Sequence, residues 1–98
     1  MRSIRKYLSK ICEEADGAVD YAQKAVYFAS RPNFHKMYAE MAEDELKHAR
    51  YLMEIGKTMI NEEETSGDIS KAWLRCVKHV NDQIVAVSLL LKDEAGAT

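Results

Sequence analysis

The chain has 98 residues, enough for one small domain, and its 14 basic against 16 acidic residues leave a net charge of −2. A domain of this size buries a smaller share of its surface than a larger one, so a partner chain is expected to complete its core. No run of Lys and Arg is long enough to follow a phosphate backbone, which argues against nucleic-acid binding.

The first ten residues, MRSIRKYLSK, are basic, but no continuous apolar stretch comes after them. Neither a secretory signal nor a membrane span is predicted, and the cytoplasm is the expected location. Cys12 and Cys76 lie far apart in sequence and match no CxxC or Cys/His zinc pattern. They read as small buried hydrophobes in a reducing compartment.

One proline and four glycines supply few breaks, and their positions predict three long helices in a single all-α domain over residues 1–98. The first is expected over about 3–30, because the residue before Pro32 is biased away from helical geometry and Asn33 is a good cap for the next helix. The second is expected over about 34–60. NEEETSGD then gives a polar loop, and Asp68 can cap a third helix over about 69–93.

In helix 1, Ile4, Leu8, Ile11, Ala15, Ala18, Ala22, Ala25 and Ala29 recur at alternating spacings of four and three, the pattern of a bundle seam. Tyr7, Glu14, Tyr21 and Phe28 repeat every seven residues along one flank, while Glu13 points outward. Taken alone, Glu14 reads as an edge carboxylate with a buried stem.

The same spacing in helix 2 gives Phe34, Tyr38, Met41, Glu45, His48, Leu52, Ile55 and Met59, a seam interrupted by two ionisable groups. Glu40, Glu43, Asp44, Lys47 and Arg50 fall off it and form a solvated face. A buried, unpaired carboxylate costs several kcal/mol, so an internal Glu45 requires a compensating partner.

Helix 3 carries a stripe of Trp73, Val77, Val80, Ile84, Val87 and Leu91. Its segment IVAVSLLL is apolar nearly all round, which predicts cover by a second chain. His79 and Asp82 fall off the stripe and read as surface or interface residues rather than metal ligands.

A short turn makes helices 1 and 2 antiparallel neighbours. Counted from that turn at 1.5 Å per residue, Glu14 lies about 27 Å along helix 1, and His48 and Glu45 about 24 and 20 Å along helix 2. The three side chains can converge on one point, where two carboxylates and a neutral imidazole suit Fe or Mn.

Glu14 with Tyr21 seven residues later, and AEDELKHAR with its Glu45-x-x-His48, resemble the metal-ligand helices of the ferritin-like di-iron superfamily, especially its rubrerythrin branch. That family uses a Glu from each of two helices and a Glu-x-x-His from each of two others. The resemblance covers residues 10–60 and supplies half of that set. It is similar in this to the short half-ferritins, such as the encapsulated ferritins, whose site forms between subunits.

The resemblance implies an antiparallel hairpin plus a third helix, completed by dimerisation into a ferritin-like four-helix bundle. It further implies that Glu14 is a terminal ligand, Glu45 bridges two irons and His48 ligates one, with two Fe per dimer. The implied reaction is ferroxidase chemistry, oxidising Fe(II) with O2 or peroxide. Tyr21 and Tyr38 become candidates for hydrogen bonding or redox support around the ligands, although both also suit plain aromatic packing.

Two cysteines are too few for a rubredoxin-like centre, and KDEAGAT does not resemble the apolar peptide that directs cargo into encapsulin shells. Storage within an enclosing shell protein is therefore in doubt. A non-enzymatic helical adaptor or assembly protein, using IVAVSLLL as its contact surface, is the competing expectation. A Mn or Zn site, or a peroxidase of the same superfamily, is the third.

Overall fold

The lone proline sets the first boundary. The first helix, α1 (Arg2–Tyr27), ends at a turn formed by residues 28–31, and the second, α2 (Pro32–Glu62), begins at Pro32 itself. The His35 amide donates to the Arg31 carbonyl at 2.9 Å, which makes Pro32 the first helical residue. There its missing N–H is no loss and its fixed φ suits the helix. Asn33 thus lies inside the first turn and is not the cap that the sequence suggested. α1 stops short of Ser30 because the amides of Ala29 and Arg31 reach back only three residues, to Val26 and Phe28, and tighten the chain out of the α-helix.

The structure, a computed structural model, describes residues 2–62 and 67–96. Of the expected loop over 61–68, residues 61–62 and 67–68 are instead helical, and 63–66 lie outside the described residues. The third helix, α3, spans Gly67–Gly96, longer than expected at both ends, with Asp68 in its first turn near the positive end of the helix dipole. Among the described residues there are three helices and no strand, and no helix is long and apolar enough to cross a membrane.

α1 is the spine. It touches both other helices along its length, whereas α2 and α3 scarcely meet. Ile4, Leu8, Ile11, Ala15, Ala18, Ala22 and Ala25 are all buried, as their spacing demands. Ala29 is exposed because it lies past the helix end, in the turn. α3 runs parallel to α1, with Ile4 and Ile69 in one apolar cluster and Ala18, Ala22 and Val87 in the next. The result is a rod of 51 × 17 × 15 Å.

The face that α2 turns to α1 is not the one expected. Ala42, Leu46, Ala49 and Gly56 are buried, with Met53 half-buried between them. Phe34 and Ile55 of the expected seam are exposed, and Glu45 is only half-buried beside an exposed His48. The cause is steric: an alanine-rich stretch of α1 admits close approach, so α2 offers its own small residues there and its bulky ones move to the flank. No described polar or charged residue is fully buried.

Gly56 serves one of the places where all three helices meet. A Cβ there would lie 3.0 Å from Cζ3 of Trp73 on α3 and 3.6 Å from Cδ1 of Ile11 on α1. Glycine therefore lets the indole lie flat against the α2 backbone. The α3 stripe holds Val80 and Val87 buried, with Trp73, Val77, Ile84 and Leu91 half-buried, and it extends to Ile69 and Cys76. Leu74, Val85 and Leu89 face outward.

Candidate metal centre

The flank of α1 that carries Glu14 turns away from α3, since positions two apart on a helix are separated by about 200° and Cys12 and Asp16 take the α3 side. α2 crosses beneath that flank in antiparallel register and brings up Glu45 and His48. One ligating atom from each of Glu14, Glu45 and His48 lies within 4.8 Å of the others. His48 Nδ1 stands 3.8 Å from Glu14 Oε2 and 3.7 Å from Glu45 Oε1. The levels counted from the turn are thus compatible with the fold, and the three predicted residues come together.

Their setting is the flank rather than the interior. Side-chain exposure is 15% for Glu14, 24% for Glu45 and 54% for His48. Within one chain Glu45 therefore carries no full burial penalty, and the need for compensation inferred from a buried seam does not arise. On α2, Met41 one turn before Glu45 and Leu52 one turn after His48 are half-buried, and Ile55 a further turn on is exposed; on α1, half-buried Tyr7 lies two turns before Glu14.

The two carboxyls act on each other. The hydrogen bond to Glu14 raises the Glu45 pKa above the ordinary glutamate range, with burial and the Glu14 charge adding to the rise. The same hydrogen bond lowers Glu14; burial opposes this, and Lys10, whose Nζ lies 3.2 Å from Glu14 Oε1, assists it. Two carboxyls this close resist double ionisation, a resistance that a cation between them would relieve.

Gly17, which belongs to neither of the α1 patterns, makes this approach possible. A Cβ at Gly17 would lie 3.2 Å from Glu45 Oε2, tighter than an ordinary contact. A glycine inside a helical run was the available signal in the sequence, since it weakens the helix unless something must come close.

Tyr21 and Tyr38 take the packing role. Their rings stack at 6.3 Å, and Tyr38 stacks on Phe28 at 5.5 Å. Lys24 Nζ lies over both tyrosine rings, at 5.5 and 5.9 Å. Among the described residues neither phenol hydrogen-bonds to Glu14, Glu45 or His48.

The other histidines are structural partners. His35 Nδ1 donates to the Ala25 carbonyl at 2.8 Å, satisfying one of the carbonyls that the end of α1 leaves without a helical partner. His79 Nε2 donates to Asp16 Oδ1 at 2.6 Å and Gln83 Nε2 donates to the same oxygen at 2.9 Å. Burial pushes the Asp16 pKa up, but these two hydrogen bonds and the His79 charge outweigh it and hold the carboxyl below its usual range. His79 is thus an interface residue within the chain, clamping α3 to α1. Asp82 pairs with Lys78 at 2.9 Å on the α3 surface.

No family model, curated protein or solved structure matches the chain. The functional reading rests on these residues and their geometry.

Proposed function

We propose that Glu14, Glu45 and His48 hold a divalent metal ion, with Fe(II) as the substrate of a ferroxidase-type oxidation, at a face completed by a second copy of the chain. The convergence of two carboxylates and one imidazole from two helices carries this reading. The donor set fits: hard oxygen donors with an imidazole suit Fe or Mn, and no thiolate lies in the group to favour a softer ion. Oxidation of Fe(II) at such a centre gives one electron per ion to O2 or peroxide.

The chain's own part is electrostatic. Glu14 and Glu45 resist being charged together, and a cation between them would relieve that resistance. Glu14 exchanges its Lys10 partner for the ion, and His48 offers a nitrogen already beside both carboxylates.

Three protein ligands on an open flank leave a centre half enclosed. A two-fold pairing of hairpins would bring four Glu and two His together, exclude water and form the four-helix bundle of the ferritin-like superfamily. Incompletely buried Met41, Leu52 and Ile55 on α2, at helical spacing from Glu45 and His48, support such cover. A reducing cytoplasmic setting suits both Fe(II) and two free thiols.

Anaerobic titration with Fe(II), followed by air, tests the reading. The oxidation absorbance is expected to saturate near one iron per chain, and folded, metal-free protein showing no change would sink it. Outward-facing Leu74, Val85 and Leu89 favour a second reading, a non-enzymatic assembly protein that uses α3 as its contact surface. That reading requires assembly and function to survive His48→Ala.

A further inference from the structure

Cys12 and Cys76 are separated by 64 positions in sequence, yet their sulfurs lie 3.7 Å apart across the α1–α3 contact. The two are not equivalent. Cys76 is 4% exposed and donates its S–H to the Leu8 carbonyl at 3.8 Å, while Cys12 is half-buried. Both line a cavity of about 440 Å³ whose polar rim is Arg5, Ser9, Arg75 and His79. A small polar oxidant can therefore meet Cys12 first, with Cys76 directly behind it.

We propose that Cys12 and Cys76 form a redox-active dithiol, a modification site at which hydrogen peroxide entering this cavity converts the pair to an intrachain disulfide between α1 and α3. In the first step the Cys12 sulfur takes one oxygen from the peroxide, the O–O bond breaks, and water leaves. Cys12 is now a sulfenic acid. In the second, the Cys76 sulfur attacks the Cys12 sulfur; the S–S bond forms, the S–O bond breaks, and the hydroxyl leaves as water with the Cys76 proton. Two thiols lose two electrons in all, and one peroxide becomes two waters.

Position makes the second step fast. Sulfurs already in van der Waals contact need close by only about 1.7 Å to reach the bonded distance of ~2.05 Å, and the encounter is intramolecular. Burial pushes the Cys76 thiol up to about 12, with the Cys12 thiol beside it adding to the rise, so peroxide meets its nucleophile at Cys12 and the resolving step relies on the preformed sulfur–sulfur contact. The consequence is mechanical: α3 scarcely touches α2, so a covalent tie to α1 fixes the helix at its main anchor. The pair lies on the side of α1 opposite Glu14 and stands or falls independently of any metal there.

The test uses the full chain, reduced with dithiothreitol, stripped with chelator and then exposed to hydrogen peroxide. Intact mass should fall by two hydrogens, peptide mapping should join residues 12 and 76, and dithiothreitol should reverse both. In Cys76→Ser the Cys12 sulfenic acid should accumulate and be trapped by dimedone. Unfolding in denaturant should slow the closure at least about tenfold, because the preformed contact is lost. Cross-links between chains, a wild-type product with Cys12 over-oxidised and Cys76 free, or an equal closure rate in denaturant would overturn it.

Discussion

The two sides of α1 make opposite demands on their surroundings. Towards α3, each group is answered within the chain: Asp16 receives hydrogen bonds from His79 and Gln83, and Cys12 meets Cys76. On the other flank Glu14, Glu45 and His48 gather without completing one another, two mutually repelling carboxyls beside an exposed imidazole. The contrast is the reason the proposed metal centre is put on the flank where like charges gather.

The largest effect expected on that contrast comes from Glu45→Gln. Loss of a charged ligand should weaken Fe(II) binding at least about 100-fold, which is ~2.7 kcal/mol. Stability should move the other way. A carboxyl whose folded pKa is raised contributes stability below the ordinary glutamate range and loses it as pH rises through the raised value. Metal-free Glu45→Gln, uncharged at every pH, should therefore keep its melting temperature across the window above the ordinary glutamate range in which the parent protein declines. A variant that loses binding and stability together would show that the flank is structural.

Next comes Ala22→Leu, on the closed side. Ala22 is fully buried against Ala18, Ala42, Leu46 and Val87, so overpacking should lower unfolding free energy by about 1–3 kcal/mol in denaturant titrations. Any change in Fe(II) binding should only accompany loss of the fold.

Gly17→Ala couples the two sides. It should stabilise the metal-free helix by up to about 1 kcal/mol, while pushing Glu45 back by a few tenths of an ångström and weakening Fe(II) binding several-fold. Gain in stability with undiminished affinity would contradict the role given to the glycine.

The smallest effect belongs to Asp16→Asn. The Asp16 pKa is lowered, so its contribution is present above the ordinary aspartate range and lost as pH falls through the lowered value. The variant should flatten the acid limb of the stability curve by less than about 1 kcal/mol, given how exposed the clamp is. Fe(II) binding should be unchanged.

Much of this arrangement was legible in the sequence. The four-three series of α1 named its buried face down to Ala25, and counting from the turn brought Glu14 level with Glu45 and His48. In α2 two such series interleave, and the one with larger side chains looked like the core. The buried one is Ala42, Leu46, Ala49 and Gly56, with Met53 half-buried among them, because the small residues of α1 select small partners. Recognising the alanines as a request for close approach would have chosen correctly. The Cys12–Cys76 and Asp16–His79 contacts were not legible, since neither stripe fixes the register between α1 and α3.

The central claim is that Glu14, Glu45 and His48 of each chain hold one metal ion at a face closed by a second copy. Anomalous diffraction at the iron edge, from crystals grown anaerobically with Fe(II), addresses it most directly. The expected map has one strong peak per chain within bonding distance of those three residues, with the same residues of a partner across a two-fold axis. Crystals with iron in solution and no peak at the trio, or a peak on a flank left open to solvent, would contradict it.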